Sequence, residues 1–247
     1  MRAMLFAAGL GSRLQGITAD KPKALVEISG KPLLEYAITY LKHFGVDEVV
    51  VNVHHFADQI IGFIKEKKNF GIDIKISDER DYLLETGGGL KKAALLFPGD
   101  KPVVLYNVDI LTTLDLNRLV ASHLKQKSLA TLAVRKRRTS RYLLFDSGLQ
   151  LCGWKDTRSG EVKISRPFSD NEPEEFAFSG VHVIDPRIFN LITEEGKFSI
   201  IDLYLRLSET NPIKAFVDTS EVWLDLGKPE QLTSAEKILQ RLSSGQN

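Results

Sequence analysis

The sequence predicts an α/β fold: a doubly wound, mostly parallel sheet with helices on both faces and a mixed or antiparallel extension. Three observations carry this. A compact apolar run at 3–7 (AMLFA) ends in a glycine turn. Through residue 134, short β-rich runs alternate with stretches of helical spacing, which implies right-handed crossovers between parallel strands. The run 48–53 (EVVVNV) is β-branched and nearly continuous, as a strand covered on both faces should be.

The elements follow in order. After the first strand, Leu33, Leu34, Ala37, Ile38 and Leu41 fall on one face of a helix over 32–44. Beyond the 48–53 strand, Ile60, Ile61 and Ile64 mark a helix over 57–64, and 72–76 alternates like a strand. Residues 86–96 read as a helix, 103–108 as a buried strand, 114–127 as a helix and 129–134 as a strand. The second half differs. Strands at 142–145, 149–154 and 176–184 are separated by charged, turn-rich stretches at 156–160 and 169–175, with no long helix between them. Antiparallel or mixed pairing that extends the sheet is expected there. Helices resume at 186–192 and 200–208, a strand at 213–217 follows, and a helix over 229–242 starts with a proline. Residues 243–247 read as a frayed tail. No linker, repeat or low-complexity tract interrupts the chain, so one domain over 1–247 is expected, with halves 1–135 and 136–247.

Composition excludes several classes of function. The chain has 247 residues, 43% hydrophobic and 26% charged, enough for a sizeable core without staples. Thirty-three basic and 32 acidic residues leave +1, which gives no support for nucleic-acid binding. A single cysteine, Cys152, rules out a disulfide framework and a cysteine-based zinc cluster, and inside an apolar strand it reads as a core residue. No apolar run approaches the roughly 18 residues needed to span a bilayer, and no cleavage site follows the first strand. A soluble cytoplasmic protein with no membrane partner is expected. The basic run 135–138 (RKRR) reads as a solvated loop, or one leaning on an anionic substrate, and His54-His55 as a loop pair.

The sharpest local signal is Ala7-Ala8-Gly9-Leu10-Gly11-Ser12-Arg13-Leu14 directly after the first strand. Glycines there let the backbone turn tightly and offer N–H groups to phosphate oxygens. The dinucleotide fingerprint fails because its third glycine is missing, and the G-x-x-x-x-G-K-[ST] phosphate loop is absent. Lys21-Pro22-Lys23 follows closely. Arg13 and Lys23 together suit an anion clamp for a polyphosphate.

Gly-Leu-Gly-Ser-Arg-Leu followed by Lys-Pro-Lys resembles the signature of the nucleoside-diphosphate-sugar pyrophosphorylases, the sugar-phosphate nucleotidyltransferases. Glu85-Thr86-Gly87-Gly88-Gly89-Leu90 resembles that family's glycine-rich turn facing the nucleobase. Asn107-Val108-Asp109 resembles its metal-binding strand end, and the stretch Trp223 to Glu230 (WLDLGKPE) its W-x-D-x-G-T-P-E segment. The resemblance spans essentially the whole chain. It implies that the phosphate of a sugar 1-phosphate attacks the α-phosphorus of a nucleoside triphosphate and expels pyrophosphate. That nucleophile is largely dianionic at neutral pH, so no general base is required.

By the same resemblance, Asp109 and Asp225 hold Mg²⁺, the implied cofactor. Arg13 neutralises the triphosphate and Lys23 bridges phosphates at the reacting centre. Ala8, Gly9, Gly11 and Ser12 bind phosphate, while Thr86, Gly87 and Gly88 receive the base. Asn107 serves the nucleotide or a sugar hydroxyl, and Arg166, Ser179 and Gly180 line the sugar side. The chain departs from the family pattern at Val108, where glycine is usual, and at Lys228, where threonine is usual. The family's E-K-P segment has no clean match; Ile164-Ser165-Arg166-Pro167 stands nearest, and Phe178-Ser179-Gly180 replaces the usual Asn-Ala-Gly. Residues 1–135 are then the nucleotide-binding half, and 136–247 the sugar-binding and metal-completing half.

The substrates named by closest appearance are those of the N-acetylmuramate 1-phosphate uridylyltransferases of cell-wall recycling. A mannose-1-phosphate guanylyltransferase, a non-catalytic sugar-nucleotide-binding regulatory paralogue and a CTP-dependent transferase for a non-sugar phosphate remain open, as does monomer or homodimer.

Overall fold

The structure, a computed structural model, describes residues 1–14, 16–167 and 172–244. From the N-terminus the elements are β1 (Arg2–Phe6), β2 (Glu27–Ile28), β3 (Lys31–Pro32), α1 (Leu33–His43), β4 (Glu48–Val53), α2 (Ala57–Glu66) and β5 (Asp73–Asp78). There follow α3 (Glu85–Ala93), β6 (Val103–Asn107), β7 (Ile110–Thr112), α4 (Leu116–Gln126), β8 (Ala130–Arg135), β9 (Arg141–Phe145) and β10 (Leu151–Asp156). The chain continues through β11 (Val162–Ile164), β12 (Glu174–Ile184), α5 (Ile200–Ser208), β13 (Ile213–Val217), β14 (Trp223–Asp225) and α6 (Pro229–Ser244).

These elements form two compact units that interleave along the chain. One comprises Ala3–Leu83, Tyr106–Leu114 and Ser220–Asn247; the other comprises Met1–Arg2, Leu84–Leu105 and Asp115–Thr219. Neither is bounded at residue 135.

In the first unit β1, β4 and β5 are successive neighbours, and β4 pairs with β5 in parallel from Glu48 opposite Asp73 to Val53 opposite Asp78. Strands β1 and β4 bury almost every side chain, which is why they read as continuous apolar runs. Helix α1 buries Leu33, Leu34, Ala37, Ile38 and Leu41, and α2 buries Ala57, Ile60 and Ile64. Two short antiparallel ribbons, β2–β3 and β7–β14, complete this unit. Leu14, Val26, Ile28, Leu33, Leu226 and Ala235 form one buried cluster beneath them.

In the second unit β8 pairs with β12 antiparallel and with β13 in parallel, while β12, β9, β10 and β11 continue as antiparallel neighbours. The α/β class and the antiparallel extension stand as the sequence predicts. Strand β10 starts at Leu151 rather than 149. Leu149 is held at φ +56 in a turn where its N–H donates to the Asp146 carbonyl and Gln150 N–H donates to Asp146 Oδ1. The helix expected over 186–192 is a 3-10 segment, Pro186–Leu191, capped by Asp185. The stretch 169–175 and the tail 243–247 fall partly outside the described residues.

Candidate active site

Just past β1, the N–H groups of Ala7 and Ala8 donate to Asn52 Oδ1 at 2.7 and 3.3 Å. The turn that follows needs glycine at 11. Its φ is +66, and a Cβ would press on Thr18 Cγ2 at 3.0 Å and Lys23 Cβ at 3.1 Å. Ser12–Leu14 then close a 3-10 turn, with Leu14 N–H donating to the Gly11 carbonyl at 2.8 Å. Ala8 and Leu14 are buried, whereas Gly9, Ser12 and Arg13 are exposed. The amphipathic step from Leu14 to Arg13 thus anchors the turn in the core and turns its guanidinium outward.

Pro22 holds the extended backbone that leads into the 3-10 turn Lys23–Leu25. Lys23 is only 9% exposed, and its ammonium donates to Asp109 Oδ2. Asp109 sits just beyond β6, after a half-buried Asn107. Asp225, the last residue of β14, lies opposite Ile110, and Leu226 N–H donates to the Asp109 carbonyl at 2.8 Å. The two aspartates therefore occupy neighbouring backbone positions although they are 116 residues apart in sequence. Asp225 Oδ1 accepts from Gly227 N–H at 2.9 Å, and its Oδ2 faces Arg13 Nη1 at 3.7 Å. A Cβ on Gly227 would overlap the Arg13 guanidinium and stand 2.8 Å from Asp225 Oδ1. Leu14 and Leu226, next in sequence to Arg13 and Asp225, share the buried cluster, so the same core fixes both. Two carboxylates are thereby held at strand ends, where ligands sit in open α/β sheets, each facing a cation from a 3-10 turn.

The remaining expected residues lie in the second unit. Thr86, Gly87 and Gly88 occupy the first turn of α3. Thr86 Oγ1 accepts from Ile200 N–H at 3.0 Å, and Gly87 N–H donates to the Phe198 carbonyl at 3.0 Å. A Cβ on Gly87 would overlap the Phe198 ring, and one on Gly88 would overlap the Gly196 carbonyl. Close packing of α3 on residues 196–200 thus accounts for these glycines without a ligand. Arg166 is half-buried with Nη1 3.4 Å from the Ser208 carbonyl. Ser179 is 0% exposed, and Gly180 carries φ +74 in the bulge of β12 between Phe178 and His182. A sugar reaches the Ser179 hydroxyl only if this strand shifts.

Sequence reasoning overlooked Asn52 and Glu79, and took Gly227 only as part of the Trp223 to Glu230 stretch, without a role. The one signal was a polar asparagine inside an otherwise apolar strand. The basic run is engaged by the protein itself: Arg135 pairs with Asp218 at 3.0 Å, Lys136 with Glu174 at 2.9 Å, and Arg137 Nη2 donates to the Phe178 carbonyl. Cys152 is fully buried, and burial pushes its thiol pKa up. Among the described residues no three or more His, Cys, Asp or Glu side chains converge, and no helix is long and apolar enough to cross a membrane.

Cations stationed on carboxylates beside a glycine turn suit an enzyme that handles phosphate anions. The comparisons agree: the model of the nucleotidyl transferase family matches residues 2–241, and the chain belongs to that family. Its enzyme class is that of the sugar-phosphate nucleotidyltransferases. The chain is similar to an N-acetylmuramate alpha-1-phosphate uridylyltransferase of Caulobacter vibrioides, 34% identical over 96% of both chains. It is 29% identical to a D-glycero-alpha-D-manno-heptose 1-phosphate guanylyltransferase of Aneurinibacillus thermoaerophilus, over 97% of this chain and 99% of that one. Among solved structures, HddC of Yersinia pseudotuberculosis complexed with GMP-PN shares the fold with a TM-score of 0.77 at 24% identity, over 96% and 99% of the two chains.

Proposed function

We propose that the protein is a uridylyltransferase joining UTP to N-acetylmuramate 1-phosphate, releasing pyrophosphate, in the cytoplasmic recycling of cell-wall sugar. The observation that carries the chemistry is the paired arrangement of Lys23 on Asp109 and Arg13 on Asp225, with the aspartates joined through the Leu226–Asp109 backbone bond. The choice of substrates rests on the 34% identity, over nearly the full length, to the Caulobacter uridylyltransferase.

In the step proposed, an oxygen of the sugar phosphate forms a bond to the α-phosphorus of UTP as the α–β anhydride bond breaks. The electron pair leaves on pyrophosphate, and no proton need move. The main obstacle is the approach of two anions. Arg13 meets the triphosphate from the exposed side of the glycine turn, and Lys23 turns from Asp109 to the phosphates once they arrive. Backbone N–H groups from Gly9 to Ser12, with the Ser12 hydroxyl, hold phosphate oxygens, the Ala8 N–H being already given to Asn52 Oδ1. Asp109 and Asp225 fit Mg²⁺: they supply hard oxygen donors on adjoining backbone, and this ion is commonly held by one or two carboxylates with substrate phosphates completing its shell. When bound, it supplies charge neutralisation across the phosphates and the leaving group. Asn107, half-buried at the end of β6, serves the nucleotide or a sugar hydroxyl.

Pyrophosphate release is measured with Mg²⁺ and UTP, GTP, CTP or dTTP, each paired with N-acetylmuramate 1-phosphate or mannose 1-phosphate. Release with UTP and the muramate alone is the expected result. Release with GTP and mannose 1-phosphate would keep the chemistry and favour the mannose-1-phosphate guanylyltransferase reading, with which the Aneurinibacillus relative shares the guanylyl transfer but not the sugar. Nucleotide binding without turnover on any sugar would favour a regulatory paralogue.

A further inference from the structure

We propose that Asn52 and Glu79 form a buried relay that positions the glycine turn for the nucleoside triphosphate, an assignment that rests on the nucleotide-binding reading of residues 8–13. Asn52 is 2% exposed and Glu79 0% exposed. Asn52 sits inside β4 and reaches across to the exit of β1, where its Oδ1 accepts two successive backbone N–H groups, those of Ala7 and Ala8. Its Nδ2 donates to Glu79 Oε1 at 2.8 Å, and Glu79 is itself tied to β4, its N–H donating to the Val53 carbonyl at 2.7 Å. Three neighbouring strand ends are thereby joined through side chains buried in an apolar layer.

A buried amide and a buried carboxylate are costly unless hydrogen-bonded, so the arrangement is far more demanding than an aliphatic pair of similar volume. Its geometry supplies a reason to retain it. The carboxylate accepts only, so it obliges the Asn52 carboxamide to present NH₂ toward Glu79 and oxygen toward the turn. That orientation pins the two amides preceding Gly9 and sets the direction in which the turn leaves β1. Gly9 and Gly11 have wide conformational freedom and cannot set that direction themselves. Asn52 and Glu79 touch no phosphate in this account; they act through Ala7 and Ala8.

Kinetics on the intact enzyme, with the substrate pair the panel identifies, test the relay through a donor–acceptor swap. Asn52→Leu raises the KM for the nucleoside triphosphate about tenfold, the scale of lost hydrogen bonds to a charged partner network, while the KM for the sugar 1-phosphate stays within about twofold. Asn52→Asp alone sets two carboxylates at hydrogen-bond distance, so its nucleotide KM worsens as pH rises and their shared proton is lost. Asn52→Asp combined with Glu79→Gln restores the network with charge and amide exchanged, and brings the nucleotide KM back toward that of the parent. A double variant no better than Asn52→Asp, or equal rises in both KM values, would overturn the relay. Arg13→Gln separates the two readings: unchanged nucleotide affinity in that variant would remove the turn from nucleotide binding, and the relay's role with it. Because the double variant conserves net charge and keeps the bond between positions 52 and 79 with donor and acceptor exchanged, the test survives even if Asn52→Leu fails to fold.

Discussion

Lys23 and Asp109 meet as an ion pair at the end of β6, with side chains only 11% and 16% exposed. Removing either partner leaves the other a sequestered charge, so the two should behave as one functional group. Lys23→Met and Asp109→Asn are each expected to slow pyrophosphate release by about 10²–10³-fold, the scale seen when one preorganised electrostatic contact is lost. The double variant should be little slower than either single one. Initial rates of the four proteins decide the matter, and losses that multiply would mean that the residues act separately.

Asp225 lies across from Arg13 and takes its alignment from the Gly227 amide. Asp225→Asn should abolish most turnover while leaving the melting midpoint and far-ultraviolet spectrum as in the parent; normal Mg²⁺-dependent rates would remove Asp225 from the metal site. Gly227→Ala should act more gently. Its methyl displaces the far end of a flexible, half-exposed arginine, so kcat/KM falls by roughly tenfold with little change in stability.

Two helical glycines should respond in opposite ways to the same change. At Gly88 an added methyl meets the Gly196 carbonyl, which is backbone and cannot swing aside. Gly88→Ala is expected to cost about 1–3 kcal/mol. At Gly62 in α2 nothing lies within 4 Å of the added methyl. Gly62→Ala there should stabilise by about 0.5–1 kcal/mol through helix propensity and a less flexible unfolded chain. Denaturant unfolding of the two variants provides the check.

Acid should weaken the second unit. Burial holds the His123 pKa down to about 4 and that of His182 to about 3, with Thr131 Oγ1 and the Tyr204 hydroxyl as their respective neighbours at 3.0 and 2.9 Å. Below the ordinary histidine value of about 6.5, the unfolded chain binds more protons than the folded one. The stabilising effect is therefore complete above that value and is lost as pH falls toward 4 and then 3. At pH 5 each histidine should have cost about 2 kcal/mol relative to pH 7.5. Unfolding free energies at both pH values measure this, and His123→Gln should remove about half of the difference.

The longer elements were legible because burial imposes a period on the sequence. Residues 48–53 and 200–208 match β4 and α5 at both ends, one a covered strand and the other an amphipathic helix started by Ser199. Ribbons β2–β3 and β7–β14 have two or three residues per strand, too few to show any period. The cations and carboxylates of the site were legible as residue types. Their partners were not, because the pairing of Lys23 with Asp109 and the bond from Leu226 to Asp109 depend on which strands become neighbours. Gly87 and Gly88 show the reverse problem: a glycine signals that something comes close without saying what, and here Phe198 and Gly196 do.

The interleaving of the two units has a consequence for how the protein is made. Translation proceeds from the N-terminus, and segments tend to fold as they emerge. Arg13, Lys23 and Asp109 leave the ribosome early, but β14, which carries Asp225 and pairs with β7, belongs to the closing stretch Ser220–Asn247 of the first unit. A nascent chain halted before that stretch would carry its cations and one aspartate without the strand that completes them. Competence for phosphate transfer would then arrive only after β14 has been made, so that products truncated before it are inert by construction.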